Sequence, residues 1–421
     1  MKRLFKVLAV LLLSMTMFGC SKPTETPVEE VEIVIWHTFT DAQNAELQKI
    51  AADFSTAHEN INVVVEQQPY ADFDSKVAYS VRSDVGPSLI IHYSTLAATY
   101  ATEDLLVDFL PYITEDIGVE AFQSGVIDSA FADATQFEGG TKMFVYPLNV
   151  TANLLYYNKT LFDELAIEVP TTWDELTLAS QKIFEEKEIP GFGMDSLTDN
   201  FILWLNQNGV PYIEPETKTV GFETDKSLEL VNWFATGVAE GYFSIAPTGN
   251  YYSEDIGAQT VAAYIGSCAG ASYVEAAVAD KFDWAMALVP QTEGTDKVTT
   301  AFLRGIIGFT KDEAHDEALY EFIKYWTSPE VHASWCAAFN ALSPYMATTE
   351  TTTYIDYLAN NESMAIAQEG VEYGHSSSSL PGSATVRTEI DSMLKKVALG
   401  ELTAEEAVRI TVENSNAALA E

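Results

Sequence analysis

The side chains with most to say about chemistry are aromatics and hydroxyls that follow short apolar runs. Trp36 and His37 end the run EIVIW, Tyr70 follows the β-branched run at 61–66, and Tyr93 with Ser94 follows PSLIIH. An aromatic face covers the apolar face of a sugar ring, while small polar side chains satisfy its hydroxyls. Taken singly, each of these aromatics reads more simply as core packing. Their recurrence at successive run ends makes the set a candidate cleft. Trp204 lies three residues after Phe201 on one helical face, and Tyr251 sits in the polar loop 247–253 beside Asn250 and Tyr252. Ser267 belongs to a strand-end turn, Gly266-Ser267-Cys268, where small residues let a ligand approach backbone amides. Arg387 opens a late helix in a chain poor in cations. Its fork binds two oxygens at once, or more simply it pairs with Glu389 or Asp391 as a surface ion pair.

Catalytic signatures are missing from the sequence. There is no GxSxG, HExxH or phosphate-binding loop, and the six histidines (37, 58, 92, 315, 332, 375) are scattered without metal spacing. A carboxylate pair for glycoside hydrolysis stays open among 62 acidic residues. The pattern favours capture over catalysis, with neither metal nor cofactor. An extracellular glycan-active enzyme or an adhesin is the reading from another class. The 62 acidic against 22 basic residues give a net charge of −40, which excludes nucleic-acid binding because phosphate neutralisation needs Lys and Arg.

The elements that position these residues follow from periodicity. Strand 32–36, helix 41–57, strand 61–66, helix 71–82 and strand 87–92 give the rhythm of a doubly wound α/β lobe, whose ligands sit outside the carboxyl ends of strands. Further on, strands are expected at 154–157, 261–265, 283–289 and 301–310, and helices at 225–237, 313–326, 386–399 and 403–419. Thr172 or Thr171 caps a helix carrying Glu175, Trp173 and Leu176.

At 421 residues and 47% hydrophobic composition the chain is large enough for two domains. Lys2, Arg3 and Lys6, then the apolar run 7–18, then Gly19 and Cys20, have the layout of a secretory signal peptide, too short to span a membrane stably. Residues 21–32, SKPTETPVEEVE, read as a flexible tether. Cys268 and Cys336 have no CxxC context, and both a disulfide and isolated buried thiols stay open.

The segment YPLNVTANLLYYNKTLFDELAIEVPTTWDEL at 146–176, with its proline-bearing crossover, YYNK and near-PxTWxEL, resembles the sugar-type solute-binding proteins of bacterial ABC importers. KYWTSPEVHASWCAAFNALSPY and the terminal helices extend the resemblance over about residues 32–419. It implies a two-lobed periplasmic-binding-protein fold of type II, with residues 1–19 as signal peptide, Cys20 lipid-bearing and 20–31 a tether. Lobe one is then 32–149 plus 290–335 and lobe two 150–289 plus 336–421, with hinge crossings near 148–152, 289–291 and 329–335. It implies an exported, membrane-anchored monomer that delivers a sugar or oligosaccharide to permease subunits served by an ATPase. Within the family the nearest look is to glycerol-3-phosphate and glycerophosphodiester binders. Carried over, Tyr70 matches a ligand tyrosine, Val150 or Thr151 a ligand serine, Ser267 a ligand serine, Gly305 a ligand glycine and Arg387 the phosphate-binding arginine. Two positions depart, with Ser94 where glutamate is expected and Leu342 near the place of a tyrosine. Sugar is therefore the main ligand reading and a phosphorylated polyol the second.

Overall fold

The computed structural model describes residues 30–39, 41–83, 85–246 and 251–420. Cys20, the signal segment and nearly all of the tether lie outside the described residues, as does Asn250. Eleven strands are described: β1 (Val31–His37), β2 (Ile61–Gln67), β3 (Leu89–Tyr93), β4 (Tyr146–Asn158), β5 (Gly193–Met194), β6 (Ile213–Glu214), β7 (Thr219–Val220), β8 (Ala263–Ser267), β9 (Trp284–Leu288), β10 (Thr299–Gly308) and β11 (Gly374–His375). The fold is mixed α/β and two-lobed.

The main sheet runs β2-β1-β3-β10-β4-β8-β5, with β11 on β10 and β9 on β4. β1, β2 and β3 are parallel, joined by the helices Asp41–Ala57 and Phe73–Val81 as the alternation of patterns predicts. β10 then enters antiparallel between β3 and β4. The main sheet is therefore mixed. The reason lies in chain order: β10 returns from far along the sequence and needs no crossover helix to pair antiparallel.

β4 is the long crossover. Its first half pairs with β10 from Tyr146 to Ala152, and its second half with β8 and β9 from Asn153 to Asn158. Because side chains alternate along a strand, Leu155 and Tyr157 enter one core while Leu154 and Tyr156 enter the other. Asn158 ends β4 by accepting the Leu161 amide at 2.9 Å, which caps the next helix. Thr172 and Glu175 form a reciprocal capping box on the helix Trp173–Lys187, so the start signal in the sequence was sound.

Residues 329–335, where the third crossing is expected, lie inside the helix Pro329–Phe339, which packs on Asp41–Ala57 with Trp335 against Phe39. Cys268 and Cys336 are both free and buried. No helix among the described residues is long and apolar enough to cross a membrane.

Candidate functional site

Parallel pairing puts the carboxyl ends of β1, β2 and β3 on one edge of the first lobe. β5 and β8 are likewise parallel, and bring Asp195 and Ser267 to one edge of the second. Between these edges stand tyrosines that folding leaves in water: Tyr70, Tyr93 and Tyr251 are 79%, 41% and 66% exposed, and Tyr273 is exposed beside them. They are neighbours in space. The Tyr251 phenol is held above its ordinary pKa by partial burial first, and then by the fields of Tyr70, Tyr93, Asp195 and Tyr273. The first two come from one edge and the last two from the other.

Arg387 joins the same edge. Its Nη2 donates to Asp199 Oδ1 at 2.5 Å, from the helix Ser383–Ala398 to the helix Leu197–Gln207. The expected same-helix partners are otherwise engaged, Asp391 with Lys395 and Glu389 with Asn414. Burial pulls the Arg387 pKa down, but Asp199 with Tyr212 and Tyr93 outweighs it and the net shift is upward. Tyr93 thus lies within electrostatic reach of both Arg387 and Tyr251.

Other expected residues turn inward. The Trp36 indole N–H donates to Glu66 at 2.8 Å, and the Lys76 ammonium sits 4.3 Å from its ring centre. His37 is buried and accepts the Phe39 amide at Nδ1, and burial drops its pKa to about 4. Ser94 donates to Asp133, whose carboxyl is pushed up to about 7 by burial. A Cβ at Gly305 would meet Val145 Cγ1 at 2.3 Å, so the missing side chain serves close packing of β10 on β4. Thr151 faces Phe302 in that same pairing and is partly exposed. Trp204 lines a void of about 10 Å³ among Trp173, Phe201, Leu230, Trp233 and Leu394, in the second core. Ser267 accepts the Ala269 amide at 3.3 Å in the turn after β8. A larger cavity of about 620 Å³ near Asp108, Pro111 and Phe131 lies away from these strand ends.

Sequence reasoning missed two groups. Asp195 follows β5, accepts the Tyr252 amide at 2.7 Å, and is pushed up to about 7 by burial. A Cβ on Gly266 would come within 2.3 Å of its Oδ2, so that glycine makes room for the carboxyl. Arg304 lies on β10 opposite Tyr93 and Asn149, with its guanidinium carbon 4.9, 5.6 and 5.7 Å from the ring centres of Phe39, Phe339 and Tyr93. The available signal was a lone cation inside the apolar run AFLRGIIGFT, since a charge half-buried in a core strand needs a reason. No cluster of metal-ligating side chains occurs among the described residues.

Comparison with known proteins bears on the family and the fold. Residues 40–333 match the family model described as bacterial extracellular solute-binding protein. An sn-glycerol-3-phosphate-binding periplasmic protein of Yersinia enterocolitica is 21% identical, over 92% of this chain and 92% of that one. A maltotriose-binding protein of Pyrococcus abyssi is 23% identical over 53% of this chain and 46% of its own. Among solved structures, the cyclic alpha-maltosyl-1,6-maltose binding protein from Arthrobacter globiformis superposes with a TM-score of 0.80 at 21% identity, covering 93% of this chain and 99% of that one. The sugar-binding protein MalE from Xanthomonas citri gives 0.80 at 16% identity, covering 92% and 97%.

Proposed function

The chain belongs to the bacterial extracellular solute-binding protein family, and from that premise we propose that it captures a sugar or oligosaccharide for an ABC importer. The cleft is the gap between the two strand-end edges, and hinge closure buries the ligand before delivery to permease subunits served by an ATPase. The carrying observation is the group of exposed tyrosines, Tyr70 and Tyr93 from one edge and Tyr251 from the other. Large aromatics gathered in water mark a binding surface, and their flat faces suit sugar rings. Ser267, Thr151 and Arg387 supply polar contacts in this reading, and Asp195 adds a carboxyl for hydroxyls.

The proposed division keeps 32–149 plus 290–335 as one lobe and 150–289 plus 336–421 as the other. Export by residues 1–19, lipid attachment at Cys20 and a monomeric state complete the proposal. A phosphorylated polyol is the second reading, supported by the guanidinium fork of Arg387 at the cleft edge and by the glycerol-3-phosphate-binding relative.

Calorimetric titration with sugars, polyols and their phosphates tests the reading. Tyr70→Ala and Tyr251→Ala should each weaken binding by about 1–3 kcal/mol, the usual loss for an aromatic anchor. Wild-type affinity in both variants would move the ligand elsewhere.

A further inference from the structure

The two arginines at the cleft are in unlike electrical states. Arg387 spends its charge on Asp199, whereas Arg304 has no carboxylate within ion-pair distance among the described residues, and its buried Nε has no hydrogen-bond partner among them. Phe39, Phe339 and Tyr93 surround the Arg304 guanidinium instead. Rings stacked on a guanidinium shield its faces, but in-plane N–H donors still need oxygen acceptors. Asn149, directly across the ladder from Arg304, is fully buried with both amide atoms unpartnered, and the buried Nε2 of His37, whose ring stacks on Phe39, is unpartnered too. Buried polar groups are almost always bonded, so orphans gathered around one cation call for an explanation.

Resting on the sugar-capture reading, we infer that Arg304 is the anchor for an anionic ligand, a sugar bearing a single carboxylate, whose oxygens complete the fork of Arg304 and lie within reach of Asn149. Charge selects the monoanion. With Arg387 cancelled by Asp199, Arg304 is the one of these two guanidinium groups left without a counter-charge, and a chain of net charge −40 repels a second negative charge. A uronate matches that balance where a dianionic phosphate exceeds it. Location fits as well, because Tyr93 packs on Arg304 and is also one of the exposed cleft tyrosines.

The test titrates the full mature chain with matched probes, glucose against glucuronate, galactose against galacturonate, and glucose 6-phosphate. At least one uronate should bind about tenfold or more tighter than its neutral partner and tighter than the phosphate, as a charge-assisted bidentate bond allows. Arg304→Gln should erase that preference and leave weak neutral-sugar binding. Arg304→Lys, which keeps charge without the fork, should recover only part of it, and a melting curve for each variant separates lost binding from lost folding. Neutral sugars bound as tightly as uronates, or a preference that survives in Arg304→Gln, would overturn the role of Arg304 while leaving sugar capture standing. Tighter binding of the phosphate would overturn the monoanion. Failure of every probe to bind would overturn the carboxylate anchor, while sugar or oligosaccharide capture is decided separately by the titration and the Tyr70→Ala and Tyr251→Ala variants described above.

Discussion

The two strand-end edges handle charge in opposite ways. The second lobe is electrically closed, with Arg387 paired to Asp199 and Asp195 held by the Tyr252 amide. The first lobe is open, with a guanidinium in an aromatic cage and polar atoms of Asn149 and His37 left without partners. A group satisfied by its own lobe loses a bond to engage a ligand, whereas an unsatisfied one gains. Specificity should therefore reside in the first lobe, and the second should mainly supply surface and hydroxyl-binding groups.

The hardest blow to this difference strikes the support of the cage. Trp335 is fully buried and lies 5.7 Å from Phe39, 5.0 Å from Phe339 and 5.0 Å from Trp326. Trp335→Ala should destabilise the protein by about 3–5 kcal/mol, as large core truncations do. Ligand affinity should fall as well, because both rings it supports hold Arg304. Urea unfolding with parallel calorimetry reads the two losses, and a stability loss with intact affinity would detach the cage from binding.

The next largest effect separates the lobes by pH. Burial raises the Asp195 carboxyl from its ordinary 3.8 to about 7, so the native state holds its proton more tightly than the unfolded chain does. Its stabilisation is complete below the unfolded value and is lost as pH climbs through about 7. His37 and His332 move the other way, since burial lowers both from 6.5 to about 4. They hold stability above 6.5 and lose it as pH falls toward 4. Asp133 in the first lobe shares the rise to about 7, so the contrast is cleanest in single variants. Asp195→Asn can still accept the Tyr252 amide and should remove a loss of roughly 1–3 kcal/mol between pH 5 and 8. An unchanged pH profile in that variant would mean that Asp195 is ionised throughout.

A smaller effect tests whether the second lobe is really closed. Asp199→Asn strips Arg387 of its counter-charge and should lower stability by about 1–2 kcal/mol, less than a deeply buried pair because both side chains keep some contact with water. The same variant gives the second lobe a free fork. Anionic probes should then gain affinity there, and no gain would show that Arg387 does not face the ligand.

Much of this arrangement was legible in sequence. The helices Asp41–Ala57 and Glu313–Trp326 fall on the expected bounds because their apolar spacing is regular and each begins at a clear change of pattern. Tyr70 and Tyr93 stood out because they follow strand patterns, and strand ends carry ligands in open sheets. Tyr251 stood out only as part of a polar loop, and Tyr273 was not singled out. Arg304 was hidden for the same reason that it matters. Its neighbours along the strand are apolar, and the rings that cage it, Phe39, Phe339 and Tyr93, come from places remote in sequence. Asp195 was hidden by the shortness of β5, two residues that carry no periodic signal. Trp204 shows the converse limit, since helical spacing locates a face but does not say whether that face meets a core or a cleft.

The smallest predicted effect is the one that fixes the identity of Arg387's partner. Sequence spacing offers Glu389 and Asp391, both on the same helix, as surface ion-pair partners. Asp391 instead pairs with Lys395 at 2.7 Å, one turn along, and Asp199 from another helix takes the arginine. An exposed pair at that spacing contributes little, because solvent screens it and two long side chains must be held in place. Asp391→Ala should therefore change stability by no more than about 0.5 kcal/mol. It should leave every ligand affinity unaltered, in contrast to Asp199→Asn. Thermal melts and calorimetry on both variants make the comparison within one helix pair. A shift in ligand affinity on losing Asp391 would mean that Arg387 exchanges partners in solution, and the second edge of the cleft would then be as open to an anion as the first.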